Sequence, residues 1–341
     1  MKAAIFRRPG VVIVEKRDKP TIQTSTDAIV RIVCACVCGS DLWWYRDGGR
    51  QPGQVGHEGI GVIETVGSDV KDFKPGDFVI IPFQLGDGTC VNCLKGNRAN
   101  CSHGSGYGTG QAEFARVAWA DGSLYKIPAG NYSDEQLASL LTISDVMGTG
   151  YHAAVGAEVK VGDTVAVVGD GAVGLCGVIA AKMLGAKEII LMSRHEDRQA
   201  LGREFGATKI VTERGEEGAR NVKALTAENQ GVDAVLECVG TNESMQTAFA
   251  IAAPGAMIGV VGLPHDVQVP FSDLFFRNVG VHGGPAPTRT YAPILLDAVL
   301  KGEINPGKVF TFTTDLDHIA EAYDKMDKRE AIKLLVKVSE L

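Results

Sequence analysis

The sequence predicts two domains of different class: an all-β unit, and an α/β unit built on a doubly wound parallel sheet. Three observations predict this. A chain of 341 residues is too long for one ordinary hydrophobic core. From Lys2 to about Ala120 it reads as short β-branched runs broken by Gly, Pro and Asp turns, among them Ala28 to Val33, Gly61 to Val66 and Phe78 to Ile81. From Asp163 onward strand-like and helix-like segments alternate, the signature of parallel strands joined by crossover helices.

Within the α/β part, Thr164 to Val168 reads as an apolar strand, Ala172 to Leu184 as a helix and Glu188 to Met192 as the next strand. Ala234 to Glu237 and Met257 to Val261 continue the alternation. After about Pro285 come a helical run at Tyr291 to Leu300, a strand near Thr311 to Thr313, a helix near Ile319 to Met326, and a last strand, Ala331 to Val338, that can rejoin the first domain. No repeat, low-complexity tract or charge block interrupts the chain, so packed elements are expected to join the domains.

Composition narrows the function classes. Hydrophobic residues make up 45% of the chain and charged residues 22%, the balance of a globular protein with a substantial core. A net charge of −7 gives no basic field for nucleic acid or anionic lipid, so neither is expected as a partner. No segment reads as a secretory signal or a bilayer span, and a cytoplasmic location is expected. In that reducing compartment the eight cysteines, clustered at 34, 36 and 38 and at 90, 93 and 101, suggest metal ligation before disulfides. Cys34 and Cys36 share a strand face with Cys38 and read as small core residues, as do Cys176 and Cys238.

Gly169, Gly171 and Gly174 form G-x-G-x-x-G directly after a strand and before a small-residue helix, the context that a dinucleotide site requires. Gly169, Gly171, Ala172, Val173 and Gly174 are therefore the expected cofactor-contacting residues, with the helix N-terminus facing the pyrophosphate. The second strand ends in Ser193, Arg194 and His195, where an NAD-selective protein usually places Asp or Glu against the ribose hydroxyls. Ser193 can donate to a 2′-phosphate and Arg194 can pair with it, His195 being the weaker candidate, so NADP(H) is expected in preference to NAD(H).

One thiolate, Cys38 in Cys-Gly-Ser-Asp, and one imidazole, His57 in Gly-His-Glu, stand in the first domain. A catalytic zinc needs three protein ligands and an open position. These motifs, the Cys90-x2-Cys93 lobe and the glycine fingerprint, in this order, resemble the zinc-containing medium-chain alcohol dehydrogenases over nearly the whole chain. The resemblance implies a GroES-like catalytic domain over residues 1–146, an inserted Rossmann domain over 147–285, and a return segment over 286–341 that completes the first. It also implies that Asp145 is the third zinc ligand, that Glu58 is either a carboxylate behind the ligands or an exchanging ligand, and that Ser40 hands the substrate proton outward. Many relatives continue that relay with a His where this chain has Trp43, so the expectation is either a proton path through cofactor ribose and water or a mainly reductive enzyme whose pH-rate profile lacks a histidine limb.

Asp87-x2-Cys90-x2-Cys93-x7-Cys101 resembles the family's structural zinc lobe, with Asp87 in place of the first cysteine. A carboxylate oxygen can ligate zinc, so three sulfurs and one oxygen can hold it; loss of the metal is the competing reading, and His103 stands near enough to serve instead. Trp43, Trp44 and Tyr45 can wall a substrate pocket or simply pack. The implied function is zinc-dependent hydride transfer between NADP(H) and an alcohol and its aldehyde or ketone, in a homodimer or homotetramer. The alternatives are a polyol, sugar or amino-alcohol dehydrogenase, a zinc-free quinone or enoyl reductase, and a non-catalytic NADPH-binding protein.

Overall fold

A computed structural model describes residues 1–341. The chain opens with strands β1 (Lys2–Arg8), β2 (Val11–Lys16) and β3 (Ala28–Val37), followed by helix α1 (Asp41–Asp47). Strands β4 (Gly59–Val66), β5 (Phe78–Ile81), β6 (Phe114–Val117) and β7 (Tyr125–Lys126) come next, with single helical turns between some of them. Helices α2 (Asp134–Thr142) and α3 (Val146–Gly156) lead into the alternating region. There β8 (Thr164–Val168), α4 (Ala172–Met183), β9 (Glu188–Met192), α5 (Glu196–Phe205) and β10 (Lys209–Val211) are followed by α6 (Gly215–Ala224), β11 (Val232–Glu237), α7 (Asn242–Ile251) and β12 (Ala252–Val260). The chain ends with α8 (Phe271–Arg277), β13 (Gly280–Gly283), α9 (Thr288–Leu300), β14 (Phe310–Asp315), α10 (Ile319–Asp327) and β15 (Lys333–Lys337).

These elements form two compact units. The first comprises residues 1–148 and 287–341, the second residues 149–286. The expected limits fell at 146 and 285. The first divide between these units lies inside α3, which runs unbroken from Val146 to Gly156.

In the first unit a seven-stranded sheet has the order β7-β5-β4-β3-β15-β14, with β6 also paired to β3. A separate three-stranded sheet orders β2-β1 and Gly53–Gln54. The last strand does rejoin the first domain: β15 runs antiparallel to β3, with Leu334 opposite Val37 and Val336 opposite Ala35. β3 is buried along nearly its whole length, which suits its run of Val, Ile, Ala and Cys. The core gathers Phe6, Val30, Ile32, Val79, Leu124, Leu334 and Val336 with Tyr323 of α10.

The second unit is a six-stranded sheet in the order β10-β9-β8-β11-β12-β13, parallel throughout. β8 and β9 are apolar almost from end to end, as strands covered on both faces must be. Its core combines Ala166, Ile190, Val235 and Ile258 of the strands with Met245 and Phe249 of α7.

Candidate active site

Cys38 follows directly on β3, where the strand turns into α1. Asp41 makes that turn: its Oδ2 accepts from the Cys38 backbone N–H at 3.0 Å, and its own N–H donates to the Cys38 carbonyl at 3.1 Å. His57 and Glu58 stand immediately before β4, and Asp145 lies on the turn between α2 and α3, its N–H bonded to the Thr142 carbonyl at 3.2 Å. Pairing of β4 with β3 therefore carries His57 and Glu58 to the end of β3 where Cys38 sits.

The four side chains converge: the ligand atoms of Cys38, His57, Glu58 and Asp145 all lie within 4.8 Å of one another. Cys38 Sγ is 3.8 Å from Asp145 Oδ2, and His57 Nε2 is 3.3 Å from that oxygen and 3.9 Å from Glu58 Oε1. Zinc bonds of about 2.0–2.3 Å place tetrahedral donors about 3.4–3.7 Å apart, so these spacings fit one shared cation. Glu58 Oε2 is buried without a hydrogen-bond partner, a cost that a cation would remove. The donor set of one sulfur, one imidazole nitrogen and carboxylate oxygens is what zinc takes.

Two further charged groups brace the cluster, and the sequence reading had not assigned either. Asp41 Oδ1 lies 3.4 Å from His57 Nδ1, on the side of the ring away from the cluster, so it orients the imidazole. Burial depresses the His57 pKa, but Asp41, Cys38 and Asp145 more than reverse this and hold it well above the usual histidine range. Lys333 of β15, 1% exposed, donates to Glu58 Oε1 at 2.6 Å and to the Val37 carbonyl at 3.2 Å. Burial opposes its charge, while the Glu58 and Asp145 carboxylates hold it protonated. Burial also pushes the Glu58 carboxyl up, and Lys333 pulls it back. Cys36 is therefore more than core filling: its thiol lies against Glu58, and burial first and that carboxylate second keep it neutral. Asp41 was visible as the fourth residue of the Cys38 motif, and Lys333 as the lysine that opens the Leu-Leu-Val strand run.

Ser40 is exposed at the start of α1, and its hydroxyl makes no capping bond there. Of the aromatic trio, Trp44 packs against Phe6 and Tyr323, and Tyr45 also packs on Tyr323. Trp43 alone stands out, 37% exposed.

The second cluster also assembles, with the ligand atoms of Asp87, Cys90, Cys93 and Cys101 within 4.8 Å of one another. Cys90 Sγ and Cys101 Sγ are 3.8 Å apart, and the Asp87 N–H points at Cys101 Sγ at 3.4 Å. Asp87 Oδ1 accepts from the N–H groups of Thr89 and Cys90 at 2.9 and 3.0 Å, and Oδ2 lies 2.7 Å from His103 Nδ1. Burial works against the charge on Asp87, but His103 and these backbone donors outweigh it and hold the carboxyl far below its usual range. His103 thus sits behind Asp87 rather than among the sulfurs. Backbone N–H groups, that of Cys93 foremost, lower the Cys90 thiol to about 6, a thiolate ready for a metal.

In the second unit the glycine turn has the expected form. Gly169 adopts φ +114°, a conformation that side chains other than glycine rarely reach, and a Cβ on Gly174 would lie 2.0 Å from the Gly169 carbonyl oxygen. Gly171 is exposed, with open space where its Cβ would be, directly ahead of α4. A pyrophosphate fits such a cradle at a helix N-terminus. Arg194 is exposed and His195 half-buried, whereas Ser193 is buried and its hydroxyl donates to Asp170 Oδ2 at 2.8 Å. The Ser193 hydroxyl expected to donate to a 2′-phosphate is thus spent on Asp170, an acid brought to the end of β9 by the glycine turn, where the fingerprint tolerates any residue and so gives no signal.

A fold of this kind with these side chains defines a class, the two-domain zinc-type oxidoreductases. Residues 24–129 match the alcohol dehydrogenase GroES-like domain and residues 172–300 the zinc-binding dehydrogenase domain. The chain is 32% identical over 358 residues to zinc-type alcohol dehydrogenase B of Aspergillus flavus, covering 100% of this chain and 82% of that protein. Among solved structures it is similar to an alcohol dehydrogenase from Thermus sp. ATN1, with a TM-score of 0.92, 30% identity, and 99% and 100% of the two chains covered. It is likewise similar to zinc dependent alcohol dehydrogenase 2 from Streptococcus pneumonia, with a TM-score of 0.91, 33% identity and 100% of both chains covered. The protein belongs to the zinc-containing medium-chain alcohol dehydrogenase family. Membership implies an oxidoreductase that uses zinc and a nicotinamide cofactor. No helix is long and apolar enough to cross a membrane.

Proposed function

We propose that the protein transfers a hydride between NADP(H) and an alcohol and its aldehyde or ketone, with zinc held by Cys38, His57 and Asp145. The observation that carries this is the convergence of those three residues with Glu58 from distant stretches of sequence. A zinc-free quinone or enoyl reductase would have no use for these donors in register.

Zinc bound there supplies a Lewis acid for the substrate oxygen, and the nicotinamide supplies or takes the hydride. The chain's own residues do the rest. Asp41 fixes the His57 ring, leaving Nε2 toward the metal. Lys333 holds Glu58 at the edge of the cluster, close enough to serve as a fourth, exchangeable donor. Ser40 passes the substrate proton outward, its hydroxyl both donating and accepting. Beyond it Trp43 offers no second relay group, so the proton leaves through water or the cofactor ribose.

At the nucleotide site the open Gly171 and the N-terminus of α4 receive the pyrophosphate. Ala172, Val173 and Gly174 continue that turn, and Arg194 meets the 2′-phosphate, which supports NADP(H) over NAD(H). Asp87, Cys90, Cys93 and Cys101 hold a second, structural zinc. The protein works in the cytoplasm as a homodimer or homotetramer.

The test is to purify the protein, count zinc per chain, and follow NADPH and NADH oxidation against aldehydes, ketones and sugars. Two zinc ions per chain, with faster NADPH oxidation on a simple aldehyde or ketone, are expected. A preparation that binds no zinc yet reduces carbonyl compounds would overturn the metal assignment, and faster turnover with NADH the cofactor assignment.

A further inference from the structure

Asp170 occupies the first variable position of the glycine fingerprint, and its side chain turns inward, leaving the residue 8% exposed. Oδ2 accepts from the Ser193 hydroxyl at 2.8 Å, and Oδ1 pairs with Arg198 Nη1 at 3.2 Å. The same nitrogen also approaches the Asp170 carbonyl oxygen at 3.4 Å. Arg198 comes from the first turn of α5, and its side chain is itself only 13% exposed. Gln199 closes the group, donating to the Ser193 carbonyl at 3.0 Å. Three elements therefore meet at the C-terminal end of β9: the glycine turn brings an acid, the strand end a hydroxyl, and the next helix a guanidinium.

A carboxylate here has two opposite uses. Uncompensated, it accepts hydrogen bonds from ribose hydroxyls and repels a 2′-phosphate; paired with a guanidinium, it is electrically neutral at a distance and presents little repulsion. A serine that donates to the carboxylate offers only its lone pairs outward, so it does not favour phosphate by itself.

We propose that Asp170 and Arg198 are the pair that sets cofactor choice, with Asp170 holding the charge and Arg198 deciding whether the cofactor meets it. With Arg198 in place the pair admits the 2′-phosphate; without it the site turns toward the unphosphorylated ribose. This rests on the dinucleotide reading of the glycine turn, but not on which cofactor the wild-type protein prefers.

The experiment measures dissociation constants for NADPH and NADH by fluorescence titration of the full-length protein, a readout that needs no turnover. Relative to wild type, Arg198→Gln is expected to weaken NADPH about tenfold and NADH less than about threefold, because a buried charge is left unpaired beside the phosphate. Asp170→Asn is expected to shift the ratio the other way, tightening NADPH about threefold while leaving NADH unchanged, because the Arg198 guanidinium is freed to face the phosphate. The double variant Asp170→Asn with Arg198→Gln removes both charges and should regain most of the NADPH affinity that the Arg198 variant loses, even if that variant folds poorly. Equal weakening of both nucleotides by Arg198→Gln, or an unchanged ratio in both single variants, overturns the proposal. A wild-type preference for NADH accompanied by these same ratio shifts would sink the NADP(H) reading and uphold this one.

Discussion

The two four-donor clusters of the first unit are assembled in opposite ways. Asp87, Cys90, Cys93 and Cys101 come from one stretch of chain, and their spacing alone brings them together. Cys38, His57, Glu58 and Asp145 come from three segments spread over more than 100 residues, and only the β3 and β4 pairing and the turn before α3 collect them. Their support differs accordingly. The local cluster is held by hydrogen bonds within its own loop, from Thr89, Cys90 and His103 to Asp87. The long-range cluster is held by charges that act between segments, Asp41 of the Cys38 turn on His57 and Lys333 of β15 on Glu58. A metal in the first kind of site shapes the loop around it, whereas the second kind is shaped by the fold before the metal arrives.

The largest effect should come from the buried ion pair. Lys333→Met leaves Glu58 charged and unpaired in the core, and a loss of about 3–5 kcal/mol in unfolding free energy is expected by urea denaturation. A loss under about 1 kcal/mol would mean that the long-range cluster does not depend on this support. Next comes Asp41→Asn, which weakens the orientation of His57. Zinc affinity or turnover should fall about 10–100-fold while the thermal midpoint moves little, and unchanged zinc affinity and kcat would deny Asp41 its role.

The smallest effect should come from the local cluster. Asp87→Cys restores a fourth thiolate but gives up the acceptor of two backbone N–H groups, worth about 1 kcal/mol each. Zinc should then be retained longer against a chelator, while the metal-free protein melts a few degrees lower. If the chelation half-time is unchanged, Asp87 is not a ligand in the native protein.

Much of this was legible in advance because its determinants are local. Apolar runs named β8 and β9, glycine spacing named the nucleotide turn, and cysteine spacing named the lobe. The braces were not legible, because an Asp three residues after a Cys or a Lys in a strand has many uses, and only a neighbour from another segment selects one. Asp170 shows this most clearly. Its position in the fingerprint places no demand on residue type, yet the fold sets it against Ser193 and Arg198.

The order of residues by itself determined the two fold classes, the glycine turn and the clustering of cysteines at 90, 93 and 101, since these follow from periodicity, backbone freedom and spacing, whereas Asp145 entered only through the family resemblance. Tertiary structure alone decided that Lys333 and Asp41 brace the donors and that Asp170 meets Ser193 and Arg198 at the end of β9. Charge interactions fall off with distance through space and not along the chain, so such partnerships exist only once the segments are folded together.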